Sequence, residues 1–145
     1  MIGLLQRVSH AQVTVNGEVV ARIEQGILVL VAVARGDDEP RALRLAERLL
    51  GYRVFPDAEG RMNLCVRDVG GGVLLVPQFT LAADTDRGMR ASFTSAAEPE
   101  TGRRLFEFLV ERVRALYPQA AAGMFGADMQ VTLTNDGPVT FWIET

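Results

Sequence analysis

One histidine, one cysteine and no lysine leave this 145-residue chain few side chains able to act as nucleophile, base or soft metal ligand. His10 follows Ser9 directly. Neighbours in an extended segment project to opposite faces, so the two are not expected to pair as nucleophile and base. His10 reads as a surface or turn residue. A single His and a single Cys in separate segments give no zinc spacing. Asp57, Asp84 and Asp86 could face a hard cation, but Asp84-Thr85-Asp86 lacks the rest of a calcium loop and reads as a solvated turn. Cys65 sits in the apolar stretch Met62–Val66 and reads as a buried, inert thiol. Gly70-Gly71-Gly72 lacks the Gly-Lys-Ser/Thr of a phosphate loop and reads as a turn. No metal and no cofactor are expected.

Two segments could act through main-chain atoms. Gly137-Pro138 lies in the final eleven residues, Asn135–Thr145. Glycine allows close approach of the backbone, and proline stiffens it while donating no hydrogen bond. Such a pair can present bare carbonyl oxygens as a pocket wall. Pro77-Gln78-Phe79-Thr80-Leu81-Ala82 ends another apolar run. Where a strand gives way to a loop, the N–H groups of Phe79 and Thr80 can be left without ladder partners. Two convergent N–H groups form an oxyanion hole for attack on an ester carbonyl. The competing readings of Thr80 are a packed strand residue and a hydroxyl nucleophile.

The elements that must carry these segments follow from pattern. Ile2–Val8 and Gln12–Val15 read as short strands, and Asn16-Gly17 as a two-residue hairpin turn returning through Glu18–Ile23. Ile27–Val33 reads as a strand covered on both faces. A helix is expected from Asp37-Asp38-Glu39-Pro40 to Gly51, with Ala42, Leu45, Ala46 and Leu49 facing the core. Tyr52–Phe55, a segment near Met62, and Val73–Val76 read as extended. A second helix runs from near Pro99 to Pro118, with Leu105, Leu109, Val113 and Leu116 as its stripe, and Phe106, Val110 and Tyr117 beside it. Met129–Thr134 and Val139–Glu144 read as two strands joined by Asn135–Pro138. The expected fold is α/β, with a mixed, curled sheet and outer helices.

Length fits one domain, residues 1–145. Hydrophobic residues make 48% of the chain and charged ones 23%, as in an ordinary globular protein. No apolar run spans a bilayer and no signal peptide is evident. The lone cysteine points to a reducing compartment, so a cytoplasmic location is expected. A net charge of −3 argues against bulk charge-driven binding to nucleic acid, and leaves room for an RNA held at its 3′ end.

Together the motifs resemble the D-aminoacyl-tRNA deacylases, whose signatures read Ser-Gln-Phe-Thr-Leu-Ala and Asn-x-Gly-Pro-x-Thr. The resemblance covers nearly the whole chain. It includes Leu5–Val8, Val13–Glu18, Leu50–Phe55, Glu59–Leu64, Ala83–Arg90 and Ala127–Val131. Two positions depart from it: Pro77 stands for the usual serine, and Ala91 stands where Arg-Pro-Ser-Phe is common. The first removes a hydroxyl and a backbone donor beside the implied site.

The resemblance implies a three-layer, barrel-like α/β/β domain working as a homodimer on the 3′ end of a tRNA carrying a D-amino acid or glycine. It implies that Gln78, Phe79 and Thr80 form the catalytic segment, with the N–H groups of Phe79 and Thr80 as oxyanion hole. The RNA 2′-hydroxyl, rather than a protein side chain, assists attack. It further implies that the Gly137-Pro138 bond is cis, and that its carbonyls enter the partner's pocket, capture the substrate amine and exclude an L-side chain. Arg7 holds that turn, and Phe125 and Met129 help hold the terminal adenosine; by their own surroundings those two read as core residues. No membrane and no DNA are expected as partners. The alternatives are a non-catalytic module binding the aminoacyl-tRNA end, and an ester hydrolase using Thr80 as nucleophile.

Overall fold

The computed structural model describes residues 1–145. A single strand, β1 (Ile2–Val15), organises it, and β2 (Glu18–Ile23) returns antiparallel across the Asn16-Gly17 turn. Both turn residues have positive φ, 50° and 81°, as a type I′ turn requires. The two short strands expected over residues 2–15 are thus one strand. It is continuous because β8 (Gln130–Glu144) pairs along both halves of it.

β3 (Gly26–Ala32) lies antiparallel to the first half of β1. β6 (Gly72–Pro77) runs parallel to β3, and β7 (Ala120–Ala122) parallel to β6. The order is β2-β1-β3-β6-β7, with β8 on the other side of β1. A small antiparallel pair, β4 (Phe55–Pro56) and β5 (Met62–Leu64), stands apart.

Helix α1 (Glu39–Gly51) is capped by Asp38, whose carboxylate accepts the Arg41 N–H at 3.0 Å. Asp37 does not face solvent at the helix start as its charge suggested. It is buried, accepts the Ala34 N–H at 2.7 Å, and pairs with the Met1 amine at 2.8 Å. A one-turn helix, α2 (Val66–Val69), was not foreseen. Cys65 is its N-cap, and is half-buried rather than enclosed. Gly70 ends α2 in the left-handed region at φ 64°.

Helix α3 (Pro99–Leu116) buries Leu105, Phe106, Leu109, Val110 and Val113. Leu116, assigned to that stripe, is 53% exposed because the helix runs out there. The main core lies between the two long helices and one sheet face. A second cluster, Val8, Ala11, Val13, Ala21, Ile23, Leu28, Leu74 and Val76, fills the other face, where β1 and β2 curl over β3 and β6. The fold is therefore mixed α/β, with a nearly closed, barrel-like sheet and helices outside it. No helix is long and apolar enough to cross a membrane.

Candidate active site

The parallel strands β3, β6 and β7 end at the same side of the sheet, and the chain leaves each of them there. In α/β sheets this carboxyl edge is where loops diverge and a cleft can open. Pro77 pairs with Val31, and the Gln78 N–H makes the last ladder bond, to the Val31 carbonyl at 2.7 Å. The backbone then turns into a 3₁₀ segment, Phe79–Ala82. Its internal bonding starts with Leu81 N–H to Gln78 C=O and Ala83 N–H to Thr80 C=O, both 3.2 Å. The N–H groups of Phe79 and Thr80 come before the first of these, as the opening donors of any helical turn do. Both residues are exposed, and Phe79 is 57% accessible.

The Gln78 side-chain amide donates to the Thr80 hydroxyl. That hydroxyl faces neither a histidine nor a carboxylate among its hydrogen-bond partners. No side chain is placed to deprotonate it.

A cavity of about 330 Å³ lies between this turn and the segment after β7, with Pro77, Gln78, Phe79, Phe125 and Met129 in its wall. A more apolar neighbour of about 260 Å³ shares Gln78, Phe79 and Phe125. The structure thus brings together five of the residues singled out in sequence. Phe125 and Met129 are half-buried wall residues rather than core.

Phe125 is held by Phe106, ring to ring at 6.2 Å, and by the Arg103 guanidinium 5.0 Å from its centroid. Gly102 lies beneath it: a Cβ there would stand 3.3 Å from Phe125 Cζ. Met129 Sδ accepts the Met124 N–H at 3.4 Å, and a Cβ on Gly123 would reach it at 2.9 Å. The two glycines were missed in sequence. Gly102, a helix-interior glycine costing about 1 kcal/mol relative to alanine, was the available signal.

Gly137 and Pro138 line neither of these cavities. They do not join two strands of a hairpin, as expected from sequence. Both halves of β8 run antiparallel to the same strand, β1, and Asp136–Val139 is an excursion between Asn135 (opposite Val8) and Thr140 (opposite Gln6). The Gly137-Pro138 peptide is cis, and Gly137 has φ +148°.

Two side chains hold the excursion. Arg7 donates to the Asp136 carbonyl at 2.8 Å and to the Val54 carbonyl at 2.7 Å. Asn135 accepts the Val139 N–H at 2.7 Å and donates to the Thr140 hydroxyl at 2.9 Å. Asn135 had no role in the sequence reading, although it heads the motif; an Asn closing its own local turn was the signal.

The Ser9–His10 expectation is overturned. Ser9 Oγ lies 3.2 Å from His10 Nδ1. The pairing register of β1 with β8 shifts between Val8 and His10, which breaks the strict alternation of faces. The pair is exposed, no carboxylate orients the ring, and the other ring nitrogen meets Thr134 Oγ1 at 3.4 Å. Neither residue lines a cavity.

Three groups have displaced pKa values, and none lines the cleft. Asp57 is held low by Asn63 and then by the Arg61 N–H, Asp68 by the Cys65 N–H, and burial raises the Tyr117 phenol. They serve loop and cap hydrogen bonds. The cleft has donors and shape without a tuned acid–base pair.

Residues 4–144 match the family described as D-Tyr-tRNA(Tyr) deacylase. The chain belongs to that family. A relative from Alkalilimnicola ehrlichii, named D-aminoacyl-tRNA deacylase, is 63% identical over 144 residues, 99% of this chain and 96% of its own length. The solved structure named c-Myc DNA Unwinding Element Binding Protein superposes with a TM-score of 0.95 at 34% identity, over 100% of this chain and 99% of that one. A probable eukaryotic D-amino acid tRNA deacylase shares the fold at TM-score 0.86 and 16% identity, over 99% of this chain and 98% of that chain. By family membership the chain is an enzyme, a D-aminoacyl-tRNA deacylase acting on a carboxylic ester. The resemblance drawn from the Gln-Phe-Thr and Gly-Pro motifs is borne out.

Proposed function

We propose that the cleft at the end of β6 binds the tRNA 3′ end and that its ester is cleaved by main-chain catalysis. The observation that carries this reading is the turn after β6, whose first two N–H groups precede its internal bonding at the mouth of a cavity. Phe79 and Thr80 N–H stabilise the developing oxyanion, and Gln78 keeps the Thr80 hydroxyl engaged. Phe125 and Met129 receive the terminal adenosine on an aromatic and a thioether face. The substrate's 2′-hydroxyl assists the attack of water. The products are the free amino acid and tRNA, and mischarged glycine is a second substrate.

A second copy of the chain completes the site. Arg7 pairs opposite Ile27 while Pro77 pairs opposite Val31, several residues further along β3 and one strand beyond it. Strand spacing and rise then separate a chain's own Gly137 from its own cleft by about 20 Å, too far to meet one amino acid. In the dimer the Gly-cis-Pro carbonyls of one copy bind the substrate amine in the other's cleft and leave no room for an L-side chain. The cytoplasm is the proposed location. DNA is not among the proposed partners.

Turnover of matched D- and L-tyrosyl-tRNA tests the reading. The D-ester is expected to be cleaved and the L-ester spared; a protein that protects the D-ester would show a binding module instead. Activity should also track the dimer concentration, and sedimentation showing a fully active monomer would remove the partner's turn from the site. Arg7→Lys is expected to lower turnover about tenfold with the fold kept, since one ammonium cannot span the Asp136 and Val54 carbonyls that the guanidinium fork joins. A wild-type rate in that variant would show that the turn needs no such brace.

A further inference from the structure

The segment that links the catalytic turn to α3 takes no part in the chemistry above. Ala83–Ser95 rises from the end of the 3₁₀ segment and returns to the cleft wall at Ala97. Its base is closed by paired bonds between Asp84 and Ser92, N–H to C=O at 2.8 and 2.9 Å. Beyond that bridge Thr85–Ala91 is exposed throughout, and Met89 is 104% accessible, packed on nothing.

Arg87 and Arg90 stand at this tip on either side of Gly88, which has φ +70°. Neither takes part in any of the chain's ion pairs or side-chain hydrogen bonds, whereas nine of the other arginines do. The loop also carries Asp84 and Asp86. The Asp84 carboxylate is turned inward to the Asp86 N–H at 2.9 Å, and both side chains are shorter than the arginines. The loop is tied to the chemistry, because Phe93 packs on Phe79 with ring centroids 5.1 Å apart.

We propose that this loop grips the acceptor strand of the tRNA, with Arg87 and Arg90 on phosphates just inside the terminal nucleotide. This rests on the reading that the cleft holds the 3′ end. A protein of net charge −3 cannot rely on its overall field to hold RNA, so free guanidiniums beside the cleft are where such affinity concentrates. Arginine suits the task, since its fork meets phosphate oxygens in pairs. The Phe93–Phe79 contact couples the grip to the turn that holds the ester.

The test compares Arg87→Ala/Arg90→Ala with wild type in two assays. Fluorescence anisotropy of an uncharged acceptor-stem RNA ending in CCA reads binding without chemistry. Its Kd is expected to rise about tenfold, and the slope of log K against log salt to flatten by about 1.5. Deacylation of D-tyrosyl-tRNA should show the same rise in KM, while cleavage of 2′(3′)-O-D-tyrosyladenosine, which lacks the phosphates, stays within twofold. Arg22→Ala/Arg44→Ala removes equal charge at distant ion pairs and should leave the RNA affinity unchanged. An unchanged Kd and salt slope in the loop variant would overturn the proposal. So would equal weakening by the distant pair, or a shift to monomer on sedimentation, which would make a second copy the loop's occupant. A wild type that binds the RNA through these arginines but spares the D-ester would strike the deacylase mechanism and leave the grip standing.

Discussion

Replacing Gly137 by alanine is expected to lower D-tyrosyl-tRNA deacylation by about 10²-fold or more while the protein stays folded. At φ +148° the residue occupies backbone space that an L-side chain rarely enters. A Cβ built there would lie 2.6 Å from Val139 Cγ2, 2.9 Å from the Val139 nitrogen and 3.1 Å from Arg7 Nη2. Two of these neighbours cannot yield cheaply. The Val139 N–H is held by Asn135 Oδ1, and Arg7 is tied to two carbonyls. The excursion must move, and with it the carbonyls proposed to receive the substrate amine. Misplacement by about 1 Å in a positioning element can cost about 10²-fold. The fold survives because Asp136–Val139 lies outside the ladder with β1 and holds no fully buried residue, only Val139 resting on the edge of the main core. Circular dichroism and sedimentation check the fold, and single-turnover deacylation of D- and L-tyrosyl-tRNA reads the effect. Wild-type rates with intact discrimination would take chirality away from this turn.

A tRNA ending in 2′-deoxyadenosine should be deacylated about 10²- to 10⁴-fold more slowly, whereas Thr80→Ala keeps activity within about tenfold of wild type. The two outcomes belong together. A threonine nucleophile needs a base, and the Thr80 hydroxyl is engaged only by the Gln78 amide, a donor. No lysine exists, and the single histidine sits on β1, paired with Ser9 and Thr134 away from the cleft. What Thr80 offers is an N–H at the start of a turn, and alanine offers the same one. The hydroxyl that shares the ester's ribose is then the group best placed to assist. Rapid-quench rates on the two substrates and the two proteins separate the mechanisms. Abolished turnover in Thr80→Ala, or a trapped acyl-Thr80, would replace RNA assistance by covalent catalysis.

The elements near to each other in sequence were legible before any coordinates. Asn16-Gly17 specified its hairpin because the turn's angles are demanded by two adjacent residues. Asp38-Glu39-Pro40 specified a helix start because cap and first turn are local. The Gln78–Thr80 segment was legible as a family motif because its residues are contiguous and need no partner elsewhere in the chain to be matched. Less legible were features set by distant partners. The length of β1 depends on β8, more than a hundred residues away. Residues Asn135–Pro138 looked like a hairpin turn because a Gly-Pro turn is locally the same whether its arms pair with each other or with a third strand. Ser9 and His10 meet only because the ladder slips beside them.

The residue types and their order thus determined the family, through two motifs, Gln78-Phe79-Thr80 and Gly137-Pro138, that could be matched in the chain alone. Tertiary structure decided where those motifs stand. It set Gln78 and Phe79 at the carboxyl edge of parallel strands, in one cavity wall with Phe125 and Met129. It set Gly137-Pro138 elsewhere, braced by Arg7 and Asn135. Pattern cannot carry that information, because a motif states which atoms are available, while strand register and pairing partners, fixed by burial across the whole sheet, state which of them can meet.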